Sequence, residues 1–234
     1  MQIALGVAAT LFLVGAFPVF RLFQWDRRLR ALMSRDHRSS DLDTHVIFLA
    51  DHRDWSSTEE SDTFQVTPQL AVRLDAAAQL YRTRTEKGIK TVFVLTTGRL
   101  KQAGIRHSFS VASYNRDELA RRGVSHRDIT LHLGYDGNGA IDSIEEAALL
   151  CEYMKDAGYT DLTVVSDVLH VSQFFWLCAW RGIYANLCPV PLMETDPDAF
   201  TVRVLSMLVT VLDPNGRNPF FALARRRRRQ PIAA

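Results

Sequence analysis

The stretch from Asp161 to Gly182, DLTVVSDVLHVSQFFWLCAWRG, constrains the fold more than any other part of the chain. A short run rich in Val and Leu (Leu162 to Val165) breaks at Ser166 and Asp167. It then continues as an apolar, helix-like segment with His170 near its start. Short β-branched runs that pass through a polar turn into longer helical ones are the units of a parallel sheet. In such a sheet, ligands meet the carboxyl ends of the strands, where turns lead into helix N-termini. Asp167 and His170 fall in that turn, and His170 is the residue expected to face a site.

The same alternation runs through the middle of the chain. His45 to Ala50 (HVIFLA) reads as a first buried strand, followed by a polar, acidic stretch from Asp51 to Val66 that reads as a long loop. Pro68 opens a helix whose Leu70, Leu74, Ala77 and Tyr81 share one face, and Gly88 closes it. Thr91 to Leu95 is a second strand and runs into the turn Thr96-Thr97-Gly98-Arg99. A helix around Arg116 to Arg122, a third strand at Ile129 to Leu133, and the loop GYDGNGAIDS follow. Ser143 and Glu146 stand at capping-box spacing at the start of a helix that reaches Ala157. Leu162 to Ser166 is a fourth strand. The last, Tyr184 to Val190, ends at Pro189 and Pro191, which suits an edge. The expected fold is α/β: a Rossmann-like, doubly wound, mainly parallel five-stranded sheet over about residues 45–195. The apolar segment 199–212 is too short to span a bilayer and is expected as a helix on the core or against a membrane.

Ahead of this domain, residues 3–20 are almost all apolar and carry no charge, which predicts one transmembrane helix within 1–25, then a linker over 26–44. Phe17, Phe20, Phe23 and Trp25 cluster at its far end as an interfacial belt would. A cleaved signal peptide is the rival, but no basic n-region or small-x-small cleavage site is present. Arg21, Arg27, Arg28, Arg30 and Arg35 follow the span, so the positive-inside rule places the globular part in the cytoplasm. Five consecutive arginines, Arg225 to Arg229, sit in the tail (196–234 with the last helix), either against anionic lipid or as a solvated end. The whole chain carries a net charge of only +2, and nothing in it points to nucleic acid. Three separated cysteines without a CxxC pair argue against a structural metal and for buried free thiols, with a Cys178–Cys188 bridge as the alternative in an oxidising compartment.

Taken in order, these pieces resemble the YdcF/SanA-like family, a domain of unknown function found in bacterial envelope-associated proteins. The resemblance rests on several features: Arg73 on the first helix, the Thr96-Thr97-Gly98 turn, the phrase ELARRGVSHRDITL (Glu118 to Leu131), the Asp142-Ser143 pair, His170, and the CPVP strand end. The apolar leader is similar to that of the SanA-like branch. Departures are equally specific. Ala50, Asp51 and His52 stand where the family has glycines, Val111 and Gly134 where it has acids, and Gln173 where it has an arginine. The resemblance implies a single-pass protein of the bacterial inner membrane with its domain on the periplasmic face, against the charge rule, and a role in envelope integrity or cell-wall precursor handling.

The residues expected at a site are His170 as a general acid or base, with Arg73, Thr97, Gly98, Asp142 and Ser143 binding a small anionic or nucleotide-like ligand. Each has a plainer reading: a surface arginine, a turn glycine, a capping histidine. The three glycines of the 134–139 loop run in the wrong order for a dinucleotide fingerprint, and no cofactor is named by the sequence. There is no G-x-S-x-G elbow, no H-E-x-x-H and no P-loop. Membrane lipid is the partner expected through the N-terminal helix. A transferase or hydrolase using His170, and a non-catalytic interaction module, are the competing functions.

Overall fold

The computed structural model describes residues 24, 27, 44–50, 55–57, 64–98, 101–102, 105–106, 110–135, 137, 139–140, 142–192 and 197–217. By its contacts the chain divides into two units, Met1–His37 and Arg38–Ala234. The expected span and linker before residue 44, Arg99, and Arg225 to Arg229 lie outside the described residues, Gln24 and Arg27 apart. Among the described residues no helix is long and apolar enough to cross a membrane.

Five strands form one sheet, all parallel: β1 (Thr44–Leu49), β4 (Lys90–Leu95), β7 (Ile129–Leu131), β8 (Asp161–Asp167) and β9 (Asn186–Val190). Their order across the sheet is β7-β4-β1-β8-β9. Helices described in this unit are α1 (Pro68–Glu86), α2 (Val111–Arg121), α3 (Ser143–Asp156), α4 (Val168–Trp180) and α5 (Pro197–Leu212). The Rossmann-like α/β fold is therefore present, with β9 at an edge and Pro189 within it, where a missing N–H leaves no gap in the ladder.

The stretch 51–66 is not a plain loop. It carries a small antiparallel pair, β2 (Trp55–Ser57) with β3 (Phe64–Val66), and a second pair joins β5 (Lys101–Gln102) to β6 (Ile105–Arg106).

Continuous apolar runs hide a period of two. On β1, Ile47 and Leu49 enter one core with Leu70, Leu74 and Ala77 of α1 and Val111, Ala112 and Leu119 of α2. Val46 and Phe48 enter the other with Ala147, Leu150 and Met154 of α3 and Phe174 and Leu177 of α4. Both faces are covered, so neither phase of the strand is polar. Each large side chain sealed in these layers contributes about 1.5–3 kcal/mol.

Helix starts follow local chemistry. Thr67 caps α1 by accepting from the Leu70 N–H at 3.3 Å, with Pro68 at the first position. Gly88, at φ 75°, follows the other end. α3 is capped by Asp142, whose carboxylate takes the Ile144 and Glu145 N–H groups at 3.0 Å. The expected Ser143–Glu146 box does not form, because Asp142 is the N-cap and Ser143 is already the first residue of the helix. α5 packs on α4, where Gln173 donates to Thr210 at 2.7 Å. The turn after α5 is tied down too: Trp180 donates to Asn215 and Arg181 to the Pro214 carbonyl.

The cysteines are free, and the alternative Cys178–Cys188 bridge is not made. Cys178 sits in the α3–α4 core while Cys188 packs against the core on the other face of the sheet. The neighbour of Cys178 is Cys151; their hydrogen bond, together with burial, pushes the Cys178 thiol well up.

Candidate functional site

In the strand order, the direction of winding reverses between β1 and β8, since α1 and α2 cover one face and α3 and α4 the other. An open α/β sheet leaves a crevice at such a switch point, outside the carboxyl ends of the two strands. The residues there are Ala50, which follows β1, and Ser166 and Asp167, which end β8. The ladder runs one step past β1, with the Ala50 N–H donating to Val165 at 3.1 Å. The Ala50 carbonyl then accepts the Ser166 hydroxyl at 3.0 Å and lies 3.5 Å from Nη1 of Arg73.

Arg73 belongs to the buried stripe of α1, not to its surface. It is fully buried, one turn after Gln69 and Leu70 and one before Ala77. A charge in that position requires a partner. Asp167, also fully buried, supplies it: Oδ2 takes Nη2 of Arg73 at 2.6 Å, while Oδ1 caps α4 by accepting from the Leu169 and His170 N–H groups at 3.1 Å. Asp167 thus fixes the start of the helix that carries His170.

The ring of His170 lies between two serines. Nδ1 is 3.1 Å from Oγ of Ser166, and Nε2 is 3.1 Å from Oγ of Ser143. A serine hydroxyl has one proton. Ser166 donates its proton to the Ala50 carbonyl, which can only accept, so toward the ring Ser166 must accept. Nδ1 of His170 therefore carries the hydrogen. In the neutral ring Nε2 is then bare, and Ser143 donates to it. The tautomer is set by a backbone carbonyl through one serine. Phe174 packs edge-on against the ring, with centroids 5.1 Å apart. Both His170 (6% exposed) and Ser143 (7% exposed) keep a sliver of contact with solvent.

Thr97 and Gly98 are placed by a second set of contacts. Thr97 pairs with Ala140 in a parallel bridge: Gly98 N–H donates to Ala140 at 2.7 Å, and Ala140 N–H donates to Thr96 at 2.8 Å. Thr97 also donates its hydroxyl to Glu146 at 2.5 Å, joining the turn to α3. Gly139 is pressed onto this turn. A Cβ on Gly139, which has φ 71°, would lie 2.5 Å from the Gly98 Cα. Gly139 N–H donates to Leu133, and Gly137 N–H to Gly134.

The structure thus brings His170 and Ser143 into contact and sets Asp142 and Arg73 behind them as cap and counter-charge. Thr97 is joined to α3 through Glu146, and its turn to Ala140, which precedes that helix. The amide of Gly98, expected to help cradle an anion, is engaged by the protein itself. The N-termini of α3 and α4 already hold their own carboxylates, Asp142 and Asp167. Two of the positions at which the chain departs from the resemblance have local roles. Val111 is a core residue, and Gln173 is turned to α5. Sequence reasoning left out Ser166 and Glu146 and did not count Asp167 among the site residues. The cap at Asp142 was the available signal for Glu146, since one helix start needs only one such carboxylate.

Among the described residues no group of three or more His, Cys, Asp or Glu is placed to hold a metal ion. A shallow depression of about 510 Å³, lined by Asp117, Arg121, Ser125 and His126 among others, lies at the amino end of the sheet, away from His170. No family model, curated protein or solved structure matches this chain.

Proposed function

We propose that this is a membrane-anchored, Rossmann-like protein of the bacterial envelope, akin to the YdcF/SanA-like family. It would be a single-pass protein of the inner membrane, with its domain on the periplasmic side, supporting envelope integrity or cell-wall precursor handling. Its switch-point site takes a small anionic or nucleotide-like ligand and acts on it as a hydrolase or transferase through His170. One observation carries the choice of chemistry over a non-catalytic interaction module: His170 presents a bare Nε2 to a hydroxyl at the carboxyl edge of the sheet, with its tautomer set from behind. The pairing of Arg73 with Asp167, and the two carboxylate caps, favour chemistry at the ring over a site built only to hold charge.

Thermal shift on the full chain tests the reading, using nucleotides, S-adenosylmethionine and cell-wall precursors as probes. At least one class is expected to raise the melting temperature, and His170→Gln to reduce that rise. A flat response across the panel sinks the ligand site and favours the interaction module.

A further inference from the structure

We infer that Ser143 is a nucleophile, that His170 is its general base, and that the substrate class is a carboxylic ester or thioester. The inference rests on the reading of His170 as a catalytic group. An activated serine needs a base within hydrogen-bond reach and a third group that orients the base. Ser143 Oγ lies 3.1 Å from Nε2 of His170, and Ser166 holds Nδ1 at 3.1 Å from the far side. Because Ser166 gives its own proton to the Ala50 carbonyl, the ring has one orientation for its proton, and it is the one that draws the Ser143 proton away from oxygen. Both reacting groups stand at the start of helices whose first turns are already capped. The hydroxyl of Ser143 is therefore not engaged as an N-cap, the usual fate of a serine at this place.

The substrate class follows from charge. Phosphoryl transfer spreads negative charge over three oxygens and calls for cations. Arg73 is closed off by Asp167 at 2.6 Å. Attack on a carbonyl develops one negative charge on one oxygen, a smaller demand. In the step, the Ser143 oxygen forms a bond to the carbonyl carbon while its proton passes to Nε2. The carbonyl pair moves onto oxygen and returns as the bond to the leaving alkoxide or thiolate breaks, and His170 gives that group the proton. Water, or an acceptor alcohol or amine, then repeats the sequence on the acyl-serine and releases the acid or the transferred product. Ser166 is a positioning residue: it sets the tautomer and carries no charge, so the dyad is slower than one backed by a carboxylate.

The test is labelling of the full chain with an alkyl fluorophosphonate, which mimics the tetrahedral acyl intermediate. Ser143 Oγ bonds to phosphorus, the phosphorus–fluorine bond breaks, fluoride leaves, and His170 takes the proton. Mass spectrometry is expected to find one adduct, on the peptide bearing Ser143 and absent from Ser143→Ala. The rate should fall about 100-fold or more in His170→Gln. Ser166→Ala should label about tenfold more slowly through misplacement of the ring, with recovery in Ser166→Thr, which keeps the hydroxyl. No adduct on a folded wild-type chain, or an equal rate in His170→Gln, overturns the inference. If probes shift the melting temperature while Ser143 stays unlabelled, the nucleophile is wrong and the ligand site stands. If labelling occurs with no probe shifting it, the nucleophile stands and the choice of ligands is wrong.

Discussion

Removing the charge of Arg73 is the sharpest test of how the site is held. Both side chains of the Arg73–Asp167 pair are fully buried, and Nη2 meets Oδ2 at 2.6 Å. With charge centres about 4 Å apart and an effective dielectric near 20, their attraction is about 4 kcal/mol, of the same order as the desolvation it offsets. The intact pair therefore adds little net stability, whereas a broken one is costly. Arg73→Met keeps an apolar stem and leaves a buried carboxylate without its counter-charge; the expected loss is about 3–5 kcal/mol. Asp167→Asn keeps an oxygen to cap α4 but strands the guanidinium, at a similar cost. In the double variant neither charge is left. Its loss should be about 1–3 kcal/mol, mostly from the changed packing and the buried amide, well short of the sum of about 6–10, which is a coupling of about 3 kcal/mol or more. Against a total stability of about 5–15 kcal/mol, either single change brings the fold near its limit. Urea unfolding followed by tryptophan fluorescence gives all four corners of the cycle. Additivity within about 0.5 kcal/mol, or an Arg73→Met loss below about 1, would refute the argument.

Other expectations come from separate parts of the fold. Gly139→Ala meets both a positive φ and backbone at 2.5 Å, so it should lose distinctly more stability in urea than Gly137→Ala, which has φ 65° but open space and should lose about 1–2 kcal/mol. Equal losses would mean the two loops can part. The hydrogen bond from His45 holds the Asp161 carboxyl below its ordinary 3.8. Its stabilisation is present above that ordinary value and is lost as pH falls through the depressed one. Asp161→Asn should flatten the acid end of a stability–pH curve, modestly, because Asp161 is half exposed. Iodoacetamide should reach Cys188 before Cys151 and Cys178, which are sealed between α3 and α4. Burial pushes the Cys188 thiol up, so its labelling, followed by peptide mass spectrometry, should quicken beyond the ordinary thiol range.

The sheet was legible because its strands are apolar runs set between turn-forming residues. Thr91 to Leu95 and Leu162 to Ser166 needed only one added residue at each end, or at one end, to match β4 and β8. The small pairs at Trp55–Ser57 and Lys101–Gln102 were not legible, since two or three residues carry no period. Arg73 illustrates the deeper limit. A charged residue on an amphipathic helix reads as surface, and the carboxylate that reverses this lies 94 positions later. Glu146 failed for a different reason: two capping patterns overlapped at Asp142 and Ser143, and the sequence alone did not rank them. His170 falls in the first turn of α4, as its position after the strand suggested, but its tautomer depends on the Ala50 carbonyl, just past a strand at the other end of the domain sequence.

The clasp at the far end of α4 makes that helix a lever. From His170 to Trp180 the helix runs about 15 Å, and Trp180 and Arg181 are fastened to Asn215 and Pro214 at its far end. With the clasp as the pivot, a tilt of about 5° would swing the histidine by about 1.3 Å, past the roughly 1 Å at which the proposed reacting groups lose alignment. The angular tolerance of the histidine is therefore set as much by a turn near residue 214 as by the carboxylate beside the ring. On the proposed chemistry, sequence changes in that distant turn should slow fluorophosphonate labelling of Ser143 before they surface as loss of fold.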